Sequence, residues 1–361
     1  MPELAAITPD WEALVSCIRR EGTPKRVHYI ELFLDREVQD EVCRVYRLLD
    51  DLDQDDDAFE YRRQVRIQRF LGYDYVRCGM EGLNMPFRGA IIDDTADLQR
   101  ANGRAYMDEH RGPITTWDEF HAYPWPDVDD ATTQGLEWYE ENLPDDMCVI
   151  ASGGFAHFCE HLTWLFGYES LCYALFDQRD LVKAIADKLY VMFEKALERM
   201  LQFSRVQVVW GSDDMGFRSG TLIRPDDLRT FVFPGHRRMA EMSHASGKPY
   251  LLHACGNLAE VMDDLIDDVG IDAKHSFEDT IEDVRDLKVN GYGQRTALLG
   301  GIDVDFMCRA SEDQIRERVR ETLDVCMPGG GYCLGSGNSV ANYIPFRHYM
   351  AMMEEGRNWR P

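Results

Sequence analysis

Eight short apolar runs recur along the chain, and between most of them the apolar positions fall back to helical spacing. The runs lie at residues 27–34, 73–78, 147–152, 206–210, 250–252, 271–275, 297–301 and 331–334. Short, nearly continuous apolar runs of this kind fit strands buried on both faces. Residues 180–203 illustrate the intervening pattern: Leu181, Ile185, Leu189, Met192, Ala196 and Met200 share one helical face. Further helices are expected at 11–21, 35–49, 58–71, 155–166, 168–176, 258–268, 281–289, 315–325 and 345–355. Start signals support several of them. Asn257 precedes 258–268, Pro225 stands as a first helical residue ahead of Asp226 and Asp227, and Ser311 with Gln314 forms a capping box. Eight strand–helix alternations over 361 residues predict an α/β fold, a single (β/α)8 TIM barrel spanning residues 1–361, rather than an open doubly wound sheet. Residues 11–21 would then be an N-terminal helical extension. Residues 80–146, where periodicity lapses, would be an insertion after the second strand, with a short hairpin at 87–92.

Charge narrows the partners. The formal net charge is -26, from 65 acidic and 39 basic residues. Such a surface repels phosphate backbones and anionic lipid, so neither nucleic acid nor membrane is an expected partner. No window approaches the ~18 apolar residues of a membrane span, and the opening residues lack a basic-then-apolar leader. Ten scattered cysteines then read as reduced thiols in a cytoplasm. No glycine-rich dinucleotide or phosphate loop follows any strand, which removes the common nucleotide folds.

In a barrel the chemistry gathers at the carboxyl ends of the strands. The fifth run ends in His253-Ala254-Cys255-Gly256. An imidazole and a thiol two residues apart point to one side of the chain and suit a soft cation, zinc foremost. An isolated pair of this kind better fits a core cysteine beside a hydrogen-bonded histidine, because two ligands do not make a zinc site; the context around it favours the metal. Other strand ends contribute Glu31, Cys78 with Glu81, Asp213-Asp214, His275 with Glu278, Asp303, Cys333 and Asn338. Asp213 and Asp214 fit metal ligation, orientation of a histidine, or a helix-capping pair. His157 and His161, spaced i, i+4, fit a zinc pair or a packed aromatic face. His275 and Glu278 fit substrate contact or loop hydrogen bonding.

Several of these stretches together resemble the uroporphyrinogen decarboxylase superfamily. The carriers are Gly211-Ser212-Asp213-Asp214-Met215-Gly216, Leu222-Ile223-Arg224-Pro225, His253-Ala254-Cys255-Gly256-Asn257, Leu298-Leu299-Gly300-Gly301-Ile302-Asp303 and the segment from Gly329 to Asn338. The resemblance implies one barrel, commonly dimeric, with its cleft at the strand ends. Metal-free decarboxylases of the superfamily carry an arginine-rich segment after the first strand and a glycine-histidine-glycine near the last. Here those positions read Glu31 to Glu37 and Gly335-Ser336-Gly337. The resemblance is nearer to the cobamide-dependent methyltransferases, which carry H-x-C-G after the fifth strand and a second cysteine near the eighth. It implies zinc on His253, Cys255 and Cys333, with a corrinoid carried by a partner protein. Should Cys333 face away, Asp213, Asp214, Glu278 or His275 would complete the set. On this resemblance Asp213, Asp214 and Glu278 are the catalytic candidates. Glu31, His157, Trp210, Met215, His275 and Asn338 are the substrate-binding ones, and the apolar members suit a methoxylated donor. The expected function is methyl transfer between a small methoxylated compound or thiol and the corrinoid. A metal-free lyase and a non-catalytic binder of a tetrapyrrole or corrinoid protein are the alternatives.

Overall fold

A computed structural model describes residues 4–361. Seven of the eight runs are strands of one parallel sheet: β1 (Tyr75–Cys78), β2 (Cys148–Ala151), β3 (Val206–Ser212), β4 (Tyr250–His253), β5 (Ala273–His275), β6 (Ala297–Leu299) and β7 (Tyr332–Cys333). They pair in chain order, so every connection is a crossover that lays helix against the outer face. Strand twist curls the sheet into a half-barrel, and the architecture is TIM-barrel-like. Alternation along the strands divides the core. Val149, Val209, Tyr250 and Leu252 pack with the helix Arg179–Met200, whereas Ile150, Trp210 and Leu251 belong to the separate cluster on the other face.

The first run does not build a ladder. Tyr29 bridges Leu334 and Leu34 bridges Val340, both parallel, so residues 27–34 pair along the β7 side only. Toward β1 the contacts are side-chain ones: the Glu31 amide donates to Tyr75 Oη at 3.0 Å, and His28 Nδ1 lies 2.7 Å from Asp74 Oδ2. Arg26 also pairs with Asp74.

Residues 80–146 hold more structure than their periodicity predicts. A hairpin of Gly89–Ile92 and Arg104–Met107 is tied to the last strand's rim through Asn342, whose Nδ2 donates to Asp94 at 2.6 Å. Helices Trp117–Ala122 and Gln134–Asn142 follow.

Residues 258–268 depart from the expected α-helix. Asn257 Oδ1 accepts only the Ala259 amide, and a wide turn Asp264–Val269 follows. This winding buries Leu265 and Val269 while Arg229, Arg237 and Arg295 from neighbouring elements pair with Asp263, Asp264, Asp267 and Asp268. No helix among the described residues is long and apolar enough to cross a membrane.

Candidate metal centre

Parallel register sets Ser212 beside His253 and His253 beside His275. Three strand ends thus form one layer at the barrel mouth, and the chain turns immediately beyond it. The Asp213 amide donates to His253 O at 2.8 Å and the Ala254 amide to His275 O at 2.6 Å, carrying the pairing one step further. Gly256 then adopts φ +83°, a conformation that side chains disfavour. A Cβ on it would fall 2.2 Å from the Gly216 carbonyl, so only glycine lets the short hairpin of Gly216–Phe217 and Gly220–Thr221 cross this loop. The Asn257 amide donates to Phe217 O at 2.7 Å and fastens the crossing.

That crossing places Cys255 against His253 and Asp214. One ligand atom from each lies within 4.8 Å of the others. Cys255 Sγ is 3.3 Å from His253 Nε2, and Nε2 is 3.4 Å from Asp214 Oδ1. Zinc bonds of about 2.0–2.3 Å in a tetrahedron put ligand atoms roughly 3.3–3.7 Å apart, so the two measured edges already have the right length. His253 Nδ1 meets His275 Nδ1 at 2.7 Å. With Nε2 turned to the cluster, Nδ1 is left to carry a proton into that bond, as a metal-binding imidazole does. Two donors point at the sulfur: Asn338 Nδ2 at 3.1 Å and Ser276 Oγ at 3.6 Å.

Burial, helped by the Asp214 carboxylate, pushes the Cys255 thiol well above its ordinary value. Burial likewise lowers His253. Asp214 is held at about 2, where hydrogen bonds from His253 and Cys255 outweigh desolvation. A carboxylate, a neutral imidazole and a thiol that only a nearby cation would ionise make a donor set that fits one divalent metal.

The remaining candidates separate. Cys333 does not join the cluster: it lies in the two-residue β7, five residues before Asn338, and its buried free thiol lies beside that of Cys17 in the helix Trp11–Ile18, near Asp74. Asp74 precedes the first residue of β1, so this is the amino end of the strands, away from His253. Asp213 is buried behind the cluster. Its two oxygens accept the Cys159 and Glu160 amides at 2.8 Å each, and Oδ2 meets His236 Nε2 at 2.8 Å. It is an N-terminal cap for the helix Phe158–Phe166, supplied from another strand. His157 precedes that helix and pairs with Glu160 at 2.6 Å, while His161 bonds back to His157 O. The two do not form a metal pair. Met215 is fully buried core. Glu31 is buried too and accepts Ser336 N at 2.7 Å and Ser336 Oγ at 2.5 Å. Glu278 is exposed at the rim of a cleft of about 680 Å³ that Asn338, Asp303 and Tyr343 also line. His275 and Trp210 are buried, their rings 5.5 Å apart.

A second cleft of about 400 Å³ opens among Leu32, Phe33, Arg77, Ser152, His157 and Ser212. Arg77 and Ser152 escaped the sequence reading, as did Ser276 and His236. A charged residue inside the apolar run 73–78 was the one signal for Arg77; the serines carry none.

Residues 158–359 match the family described as uroporphyrinogen decarboxylase (URO-D). A methylated-thiol–coenzyme M methyltransferase of Methanosarcina mazei is 27% identical over 174 residues, 47% of this chain and 44% of the relative. A uroporphyrinogen decarboxylase of Geobacillus thermodenitrificans is 25% identical over 156 residues, 42% of each. The chain thus spans under half the length of these curated relatives. Among solved structures, a methyltransferase from Methanosarcina mazei superposes with a TM-score of 0.66 at 16% identity, covering 95% of this chain and 97% of that one.

Proposed function

The chain belongs to the uroporphyrinogen decarboxylase family, and from that membership we propose that it is a zinc-dependent methyltransferase working with a corrinoid protein. The observation that carries this is the convergence of Asp214, His253 and Cys255, with Asn338 and Ser276 donating to the sulfur. A protein-bound metal is not needed by the decarboxylases that the superfamily also contains. A built donor set therefore favours the methyl-transfer branch, and a methyltransferase relative agrees with it.

In this reading His253, Cys255 and Asp214 hold the metal and leave one position for substrate. Zinc bound there would supply Lewis acidity, stabilising a thiolate or drawing electron density from an ether oxygen. Three protein ligands with one carboxylate, rather than two thiolates, leave more positive charge on the cation, which suits an oxygen leaving group; O-demethylation of a methoxylated compound is placed ahead of thiol methylation. His275 orients His253, and Asn338 and Ser276 restrain the sulfur. Glu278 stands at the mouth, where a partner's corrinoid would approach. The chain acts as one barrel domain with residues 80–146 inserted, and as a homodimer.

Metal analysis of protein purified without added zinc tests this. About one equivalent is expected, falling steeply in Cys255→Ser, His253→Ala and Asp214→Asn. Asp213→Asn is the control: it should lose stability through its helix cap yet keep its zinc. Under a tenth of an equivalent, with Cys255→Ser unchanged, would remove the metal mechanism.

A further inference from the structure

Arg77 lies on β1 with its guanidinium stacked 4.8 Å over the ring of Trp210, half-buried at the wall of the 400 Å³ cleft. Nε donates to Ser152 Oγ at 3.0 Å. Among the described residues no carboxylate lies within ion-pair reach, and the two terminal nitrogens have no hydrogen-bond partner. Arginines turned inward elsewhere in the chain end on a carboxylate or on a backbone carbonyl, as Arg357 does on Phe70 O at 2.7 Å. Arg63, for comparison, pairs with Asp40 and Gln39. Desolvation holds the Arg77 guanidinium down at about 10, so it remains a cation at neutral pH.

A half-buried arginine without a counter-charge, its terminal nitrogens open to the cleft, is placed to take an anion in a charge-assisted hydrogen bond. The cleft is shaped to admit it. Ser152, having accepted from Nε, keeps its own hydrogen to donate, and Ser212 presents a second hydroxyl. The nearby His157 has its neighbouring carboxylate already engaged at 2.6 Å. Leu32 and Phe33 supply apolar wall. Trp210 Nε1 is buried without a partner among the described residues, leaving another unmatched donor in the same stack.

We propose that this cleft is the subsite for an oxyanion on the methyl-bearing substrate, a small carboxylate or sulfonate whose apolar stem lies along Leu32 and Phe33. The position follows from connectivity. Trp210 touches Arg77 on one side and His275 on the other, and His275 touches His253. Ser212 lines the cleft and pairs with His253 in register. A substrate anchored at Arg77 thus presents its far end to the metal layer. The site-to-reaction link rests on the methyl-transfer reading; the anion site does not.

Calorimetric titration of the protein with benzoate, benzenesulfonate, phenyl phosphate and neutral benzyl alcohol tests the proposal, before and after metal removal by a chelator. At least one anion should bind about tenfold to a hundredfold tighter than the alcohol, the worth of a charged hydrogen-bonded pair. The tightest names the oxyanion. Arg77→Met should abolish the preference while Arg77→Lys keeps part of it, and chelation should leave it in place. Equal binding of alcohol and anions by the unaltered protein overturns the subsite, and this needs no variant. A preference that disappears with the metal, or survives Arg77→Met in folded protein, overturns it too. Arg77-dependent anion binding by a protein that holds no zinc would sustain the subsite and defeat the methyl-transfer reading.

Discussion

Asp213 and Asp214 are adjacent and chemically identical, yet one carboxylate faces two helix amides and a histidine while the other faces the mouth. Strand alternation separates them, and no local feature of the sequence says which goes where. The His253–Cys255 proximity, by contrast, was legible, because two-residue spacing at a strand end directs both side chains to one side of the chain, which the hairpin crossing then holds. Glu31 shows the same limit differently. It stood out as a charge in an apolar run, but its partner Ser336 is 305 residues away. Burial pushes its carboxyl up to about 8, against the pull of the Ser336 hydrogen bonds. The folded state therefore binds this proton more tightly than the unfolded chain, whose carboxyl titrates near 4.5. The linked stability is fully present below about pH 4.5 and is lost as pH rises toward 8, at most ~1.4 kcal/mol per pH unit. Glu31→Gln mimics the protonated acid and removes that slope. Urea midpoints from pH 5 to 8 should fall for the unaltered protein relative to the variant; parallel curves would show Glu31 to be ionised throughout.

At the scale of elements, runs with a strong internal period were readable, and those whose form depends on a distant partner were not. The helix Arg179–Met200 and the capping box at Ser311 follow from sequence alone. The wide turn Asp264–Val269 lies against three arginines from elsewhere that carry no mark in its own sequence, and the exile of Cys333 needed the depth of its strand relative to the rim. The hairpin crossing at Gly256 is the element on which the cluster depends most directly. Gly256→Ala would have to push its Cβ into the Gly216 carbonyl, and both sides of that contact are backbone. Relief can come only by lifting the hairpin or rotating Cys255 out of line. Zinc affinity should drop about 10–100-fold, the usual effect of disturbing what orients a ligand, with a stability loss of ~1–3 kcal/mol for the strained residue. Competition with a chromophoric zinc chelator measures the first. Unchanged affinity in a folded variant would mean that the loop, not the hairpin, sets the cysteine.

For the whole molecule, eight strand–helix alternations carried the barrel-like reading, because alternating units build a parallel sheet and eight of them match a closed barrel better than an open sheet. What periodicity could not convey is how the curled sheet meets its first segment. Residues 27–34 touch the β7 side through isolated bridges and reach β1 through side chains, and Asp74 is the centre of that seam: it pairs with Arg26 and His28 and accepts the Asp10 amide at 2.7 Å. Two separate stretches of the N-terminal region, at residue 10 and at residues 26–28, thus converge on one buried carboxylate. Asp74→Asn withdraws the charge but keeps the volume, leaving Arg26 without its counter-charge and weakening the hydrogen bond to His28. The expected loss is about 3–5 kcal/mol, the range for breaking a buried pair from one side. It should appear first at the seam: the Ile30 and Leu334 amides, which bond across to β7 and to His28, should exchange faster in deuterium while the amides of β3 and β4 stay protected. Because the candidate metal centre lies at the other end of the strands, the zinc content expected on the proposed reading should not change in the folded variant. Uniform loss of protection across all strands would instead mean that the seam and the sheet open as one unit.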